Sequence, residues 1–140
     1  MVFYPKKPTH IQRPFMKDIL KSLINCLCIA VISPLILINL IVNKFSKSDS
    51  LFVSSSQFLS LLPGKFGHFI RKNFFRFSMD NCHPDCLIGF GSLFSHRATE
   101  IHKGVYIGPQ CNIGKSRIEK NCLLGSGVHI LSGKGQHNFE

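Results

Sequence analysis

A repeat of six residues constrains this chain more than any other feature, because it fixes how often the backbone returns to its own core. Eight units cover Ile88 to Gly135: IGFGSL, FSHRATE, IHKGVY, IGPQCN, IGKSR, IEKNCL, LGSGVH and ILSGKG. Their first residues are large and apolar: Ile88, Phe94, Ile101, Ile107, Ile113, Ile118, Leu124 and Ile130. An amphipathic strand alternates every two residues and a helix repeats about every 3.6, so neither explains this period. The repeat predicts a narrow triangular coil in which three units close a turn of about 18 residues.

Two other positions of the unit support this prediction. The second position is glycine in four units, which we expect to permit the turn, and the fifth is mostly Ser, Ala, Cys or Val, which fits a tight corner. The unit FSHRATE has seven residues and IGKSR has five, so we expect loops to absorb the difference.

With LLPGKFGHFIRKNFF before them, these units resemble the hexapeptide-repeat acyltransferases, and within them the branch that acetylates sugars, including exopolysaccharide and lipopolysaccharide acetyltransferases. The resemblance implies a mainly β fold in which residues 82–140 form a left-handed parallel β-helix. That β-helix is incomplete, because eight units make fewer than three turns. The resemblance also implies a homotrimer with active sites between subunits.

The activity implied by the resemblance is O-acetyl transfer from acetyl-CoA to a hydroxyl of a sugar or polysaccharide precursor, with no metal. A histidine on a loop that leaves the coil is the general base in such enzymes, and His137 matches it. A neutral imidazole near pH 7 can accept the hydroxyl proton and return it to the leaving thiolate. Backbone N–H groups of Gly133 or Gly135 are candidates to face the oxyanion. The sequence identifies no residues for binding the cofactor.

An uncharged run of 21 residues, Ser22–Val42, follows a basic flank at residues 1–21. As a helix it would extend about 32 Å, which matches the hydrocarbon core of a bilayer. We therefore predict a membrane segment at 22–42. A signal peptide is the alternative, although the run is longer than a usual signal core and no A-x-A site follows.

Basic residues flank the apolar run on both sides, so the positive-inside rule gives it no direction. Two topologies stay open: a helix that crosses straight through, and a re-entrant hairpin that bends at Pro34 and keeps both flanks on one side. For a protein of this class we expect a bacterial-type inner membrane, with the repeat on the cytoplasmic side.

Residues 43–81 are predicted to be a linker followed by a basic amphipathic helix. From Phe66 to Phe77 the apolar residues Phe66, Phe69, Ile70, Phe74 and Phe77 share one helical face, and the basic residues Lys65, Arg71, Lys72 and Arg76 occupy much of the rest. Such a helix could contact the membrane interface or cap the first coil of the repeat. The sequence leaves both interpretations open.

Metal and nucleic-acid functions receive little support. The motif CHPDC at Cys82–Cys86 lacks the second ligand pair of a typical zinc site. The three histidines His96, His102 and His129, which raise the related hexapeptide-repeat carbonic anhydrases, fall at non-equivalent positions of their units. The net charge of +10 is concentrated in residues 1–80, beside the apolar segments, where 11 Lys and Arg stand against 3 Asp. We therefore expect no metal and no nucleic-acid partner.

A non-catalytic function is the alternative to acetyl transfer. The printed sequence stops three residues after His137, before further coils that would hold the rest of CoA. A truncated relative that acts as a membrane-attached scaffold or assembly subunit, or a fragment of a longer chain, fits the same repeat.

Overall fold

The computed structural model describes residues 15–132, which form three helices followed by nine strands. The helices are α1 (Phe15–Phe45), α2 (Ser50–Ser60) and α3 (Gly64–Ser78). The strands are β1 (Asn81–Cys82), β2 (Leu87–Ile88), β3 (Leu93–Phe94), β4 (Glu100–Ile101), β5 (Tyr106–Ile107), β6 (Asn112–Ile113), β7 (Arg117–Ile118), β8 (Leu123–Leu124) and β9 (His129–Ile130).

The predicted fold class is wrong. Helices hold 48% of the described residues and strands only 15%, so the chain is neither mainly β nor a left-handed parallel β-helix. Its strands are two residues long and form three separate parallel sheets, with the orders β1-β4-β7, β2-β5-β8 and β3-β6-β9. The prediction named the chain after its repeat, although it expected helices before it; the described residues before Asn81 are mostly helical, and they outnumber the short strands.

The spacing of paired strands follows the lengths of the repeat units. Asn81 pairs with Glu100, nineteen residues later, and Glu100 pairs with Arg117, seventeen residues later. The seven-residue unit lies within the first interval and the five-residue unit within the second. Each irregular unit therefore shifts the register of all three sheets by one residue.

The first position of each repeat unit supplies the core of the strand region. Ile88, Ile101, Ile107 and Ile113 are fully buried, and Phe94 is almost so. Three of the four repeated glycines, Gly89, Gly108 and Gly114, serve close packing rather than turning: a Cβ on Gly89 would come 2.5 Å from the nitrogen of Pro109. Left-handed turns instead use other glycines, such as Gly104 at φ +73°.

Helix α1 continues without interruption through Pro34, so the re-entrant hairpin does not form. Proline removes one backbone donor but does not bend the chain back here. Helix α2 lies in the segment predicted as a linker. Its serine-rich sequence, SLFVSSSQFLS, did not indicate a helix. Its Ser54 and Ser55 hydroxyls donate to carbonyls one turn earlier, so these hydroxyls are hydrogen-bonded within the helix without water.

Helix α3 covers the predicted amphipathic segment, but only part of the predicted apolar face is buried. Ile70, Phe74 and Phe75 are buried, whereas Phe66 and Phe77, assigned to the same apolar face by the sequence, are exposed. The helix contacts α1, α2, β1 and β2. Its Phe75 ring lies 4.6 Å from that of Phe94, between ring centroids, and so joins the helices to the strand core.

Candidate functional site

Helix α1 presents a continuous apolar surface, which we call the outer stripe. Its members recur at three, four or seven residues along one side of the helix and are 48% to 86% exposed: Leu20, Leu23, Leu27, Val31, Ile38, Ile41 and Phe45. Helix α1 is long and apolar enough to cross a membrane. An apolar surface of this extent is unusual for a protein facing water only.

The opposite side of α1, its inner face, is packed against α2 and α3. Cys28, Ile32, Ile36 and Asn39 are buried there. Two side-chain hydrogen bonds fix this packing: Asn73 Nδ2 donates to Asn25 Oδ1 at 2.7 Å, and Asn39 Nδ2 donates to Ser55 Oγ at 3.1 Å. The Asn39 amide N–H groups and the Asn25 amide oxygen thus find partners within the protein, whereas the buried Asn39 Oδ1 has none among the described residues.

Arg71 is the most deeply buried charged residue of the helices, with 2% of its surface exposed. Its guanidinium donates to the carbonyl of Leu62 and approaches that of Leu59, at the end of α2. Because a helix C-terminus carries partial negative charge, the cation is stabilised there without a carboxylate. Burial lowers the pKa of Arg71 below its ordinary value, but the group remains charged at neutral pH.

The other basic residues of α3 reach solvent. Lys65 and Arg76 are exposed and Lys72 is half-buried, while Arg76 lies over the ring of Phe77 at 5.4 Å. Neither α2 nor α3 contains an acidic residue. Helix α3 therefore presents uncompensated positive charge close to α1.

The residues predicted to carry catalysis, His137, Gly133 and Gly135, lie outside the described residues. The chain can be followed to Ser132, whose Oγ accepts a hydrogen bond from the Lys115 backbone N–H at 2.6 Å. Ser132, the last described residue, therefore lies beside the turn between β6 and β7.

A second polar cluster was missed by sequence reasoning. Asp49, just before α2, binds the seven-residue repeat unit: its Oδ2 lies 3.2 Å from His96 Nδ1 and its Oδ1 lies 3.3 Å from Arg97 Nε. Arg97 also lies over the ring of Phe52. The extra residue in FSHRATE was the only signal that this corner differs from the others. The cluster ties the helices to the strands.

The two cysteines of the CHPDC motif are buried and face each other, with Sγ atoms 3.8 Å apart. The hydrogen bond from the Cys82 thiol lowers the pKa of Cys86, and the same bond raises that of Cys82. His83 lies between the two cysteines in the sequence, but its Nδ1 accepts a hydrogen bond from the Asp85 backbone N–H instead of facing them. Within residues 15–132 no three His, Cys, Asp or Glu side chains are grouped as a metal site.

The three histidines considered for zinc do not converge. His96 is engaged by Asp49, and Nε2 of His102 lies 3.5 Å from a carboxylate oxygen of Glu100. His129 is exposed on β9. The three histidines therefore lie in three different environments.

Comparison with protein-family models, curated proteins and solved structures finds no match to this chain. Functional inference accordingly depends on the sequence and on the geometry of the described residues.

Proposed function

We propose that the chain is a membrane-attached O-acetyltransferase that moves an acetyl group from acetyl-CoA to a hydroxyl of a sugar or polysaccharide precursor. The observation that carries the proposal is the six-residue repeat, which resembles that of sugar acetyltransferases and whose first positions stack in register, as in the ladder Ile88–Ile107–Leu124. Helix α1 supports the attachment to a membrane, which would be the bacterial inner membrane with the strands on its cytoplasmic side.

In this proposal the acceptor hydroxyl attacks the thioester carbonyl of acetyl-CoA, and His137 accepts its proton. The new C–O bond forms as the C–S bond breaks, and the proton passes from His137 to the CoA thiolate. Backbone N–H groups at Gly133 or Gly135 would stabilise the oxyanion. A histidine suits both transfers because its pKa lies near neutrality.

A homotrimer belongs to the same proposal. The outer side of the β2-β5-β8 sheet carries an exposed apolar ladder of Leu87, Tyr106 and Leu123. The outer positions of the β1-β4-β7 sheet are instead Asn81, Glu100 and Arg117. The apolar ladder is therefore the side that best fits another subunit.

The test compares His137→Ala with His83→Ala in the full chain, purified in detergent. Transfer of radiolabelled acetyl groups from acetyl-CoA to a panel of sugar acceptors is measured. We expect the His137 variant to lose activity by about 10²–10⁴-fold and the His83 variant to retain it, because only the first removes the base. Equal activity in both variants, with folding retained, contradicts the assignment of the base.

A membrane-attached scaffold is the second candidate, and the last layer of strands favours it. Leu124 is only half-buried, whereas Ile88 and Ile107, earlier in the same ladder, are fully buried. In the outer ladder Leu123 is 73% exposed, against 40% for Leu87 and for Tyr106. A partner protein could cover this layer. Titration calorimetry with acetyl-CoA separates the candidates, because a scaffold should bind none.

A further inference from the structure

The inner face of α1 packs against α2 and α3 over much of the length that would have to cross a bilayer. Its polar partners lie at Asn25 and Asn39, fourteen residues apart, which corresponds to about 21 Å along a helix. The hydrocarbon core of a bilayer is about 30 Å thick. If α1 crossed the membrane, the parts of α2 and α3 that contact these residues would be carried to membrane depth with it.

Helix α3 is poorly suited to that depth. It carries Lys65, Lys72 and Arg76, which form no ion pair with any residue between 15 and 132. Unpaired cations are strongly disfavoured in the hydrocarbon core. The turn after α2 and the first turn of α3 together mix exposed Leu61 and Phe66 with Lys65, a combination typical of the membrane interface.

We propose that α1 lies in the plane of one membrane leaflet, with its outer stripe among the acyl chains and α2 and α3 on the water side, where the cations of α3 meet anionic lipid headgroups. The proposal rests on the membrane attachment proposed above and specifies its geometry. It also explains why α1 has lysines at both ends, Lys17 and Lys21 before the apolar run and Lys44 after it, because both ends then face the same side.

The outer stripe offers a direct test, since the chain contains no tryptophan. Leu23→Trp, Val31→Trp and Ile41→Trp each place one indole on an exposed position of α1. The full-length variants are reconstituted into vesicles of phosphatidylcholine and phosphatidylglycerol, with lipids brominated at a shallow or a deep acyl position. The ratio of quenching by the two lipids reports the depth of each indole.

An in-plane helix gives the same quenching ratio at all three positions. A crossing helix instead places Val31 deepest, by about 12 Å relative to Leu23, because eight residues separate them along the axis. A depth profile with Val31 deepest overturns the proposal. If the wild-type chain does not float with any vesicles, the proposed membrane attachment itself is contradicted. This outcome differs from a depth profile that contradicts only the in-plane geometry.

A charge experiment tests the water-side placement of α3. The triple variant with Lys65, Lys72 and Arg76 changed to Gln should lower partitioning onto phosphatidylglycerol vesicles at least about tenfold. The matched control changes three exposed lysines of the strand region, Lys103, Lys115 and Lys120, to Gln. Equal loss in both variants, or no loss in the first, contradicts contact between α3 and the headgroups.

Discussion

Helix α1 and the strands place their apolar side chains in opposite environments. Most apolar residues of α1 are exposed, including all of its outer stripe, and its polar Asn39 is buried. In the strands the first residue of each repeat unit is directed into the core, and Ile101 and Ile107 are completely hidden. The strand region therefore hides its apolar side chains in its own core, whereas α1 leaves an apolar outer surface whose contact with water is unfavourable.

The strand core should give the largest effect when this comparison is tested. Ile107→Ala removes buried methyl groups and leaves a cavity, so we expect it to lower the free energy of unfolding by about 3–4 kcal/mol. Hydrogen exchange followed by mass spectrometry measures the strand and helix peptides separately. Tyr106→Ala, at the exposed neighbouring position, is the control and should cost less than about 1 kcal/mol. Similar losses in both variants would show that the strand core is not closed.

In the helical region we expect the largest single polar effect at Arg71. Arg71→Met keeps most of the volume but leaves carbonyls at the end of α2 without their charged donor, and should lower stability by about 2–3 kcal/mol. The change should raise hydrogen exchange in α2 and α3 more than in the strands. Arg76→Met, which alters an exposed cation of the same helix, should have little effect. Equal effects of the two substitutions would exclude a special contribution from the buried guanidinium.

The smallest of the three effects depends on pH and concerns His68 of α3. Burial, followed by the charge of Lys72, lowers the pKa of His68 below its ordinary value. The unfolded chain therefore binds a proton more readily than the folded one, so stability is full above the unfolded pKa of about 6.5 and falls as the pH drops from there toward the folded pKa.

Thermal melting of the detergent-solubilised protein between pH 7.5 and 5.5 measures this dependence. His68→Gln, which does not titrate, should flatten it, whereas His83→Gln should not. An unchanged pH dependence in the His68 variant would assign the effect to another group.

Local features of the strand region were predictable from the sequence, because they depend on neighbouring residues. The apolar first positions identified the core, and the lengths of FSHRATE and IGKSR account for the register shifts. The fold class was not predictable in this way, since the repeat says nothing of the residues before it. Helix α2 was missed because its serines satisfy their own hydroxyls within the helix, a feature that composition alone does not reveal.

Features that depend on long-range contacts were largely missed. Arg71 was expected on a solvated basic face, but the end of α2 lies over it and supplies its acceptors. Asp49 and His96 are separated by 47 residues, and nothing local to either indicated the pairing. The assignment of His137, Gly133 and Gly135 stays a prediction.

The hydrogen bond between Asn25 and Asn73 has a consequence for the order of events during synthesis. The two residues are 48 positions apart, so at about 5–20 residues per second the second amide is made roughly 2–10 seconds after the first. Helix α1 is completed at Phe45 within that interval, and Asn25 has no partner until Asn73 is made. A nascent chain halted before Asn73 would carry α1 with the Asn25 side chain unpaired, so the packing of this helix would be completed only when α3 emerges.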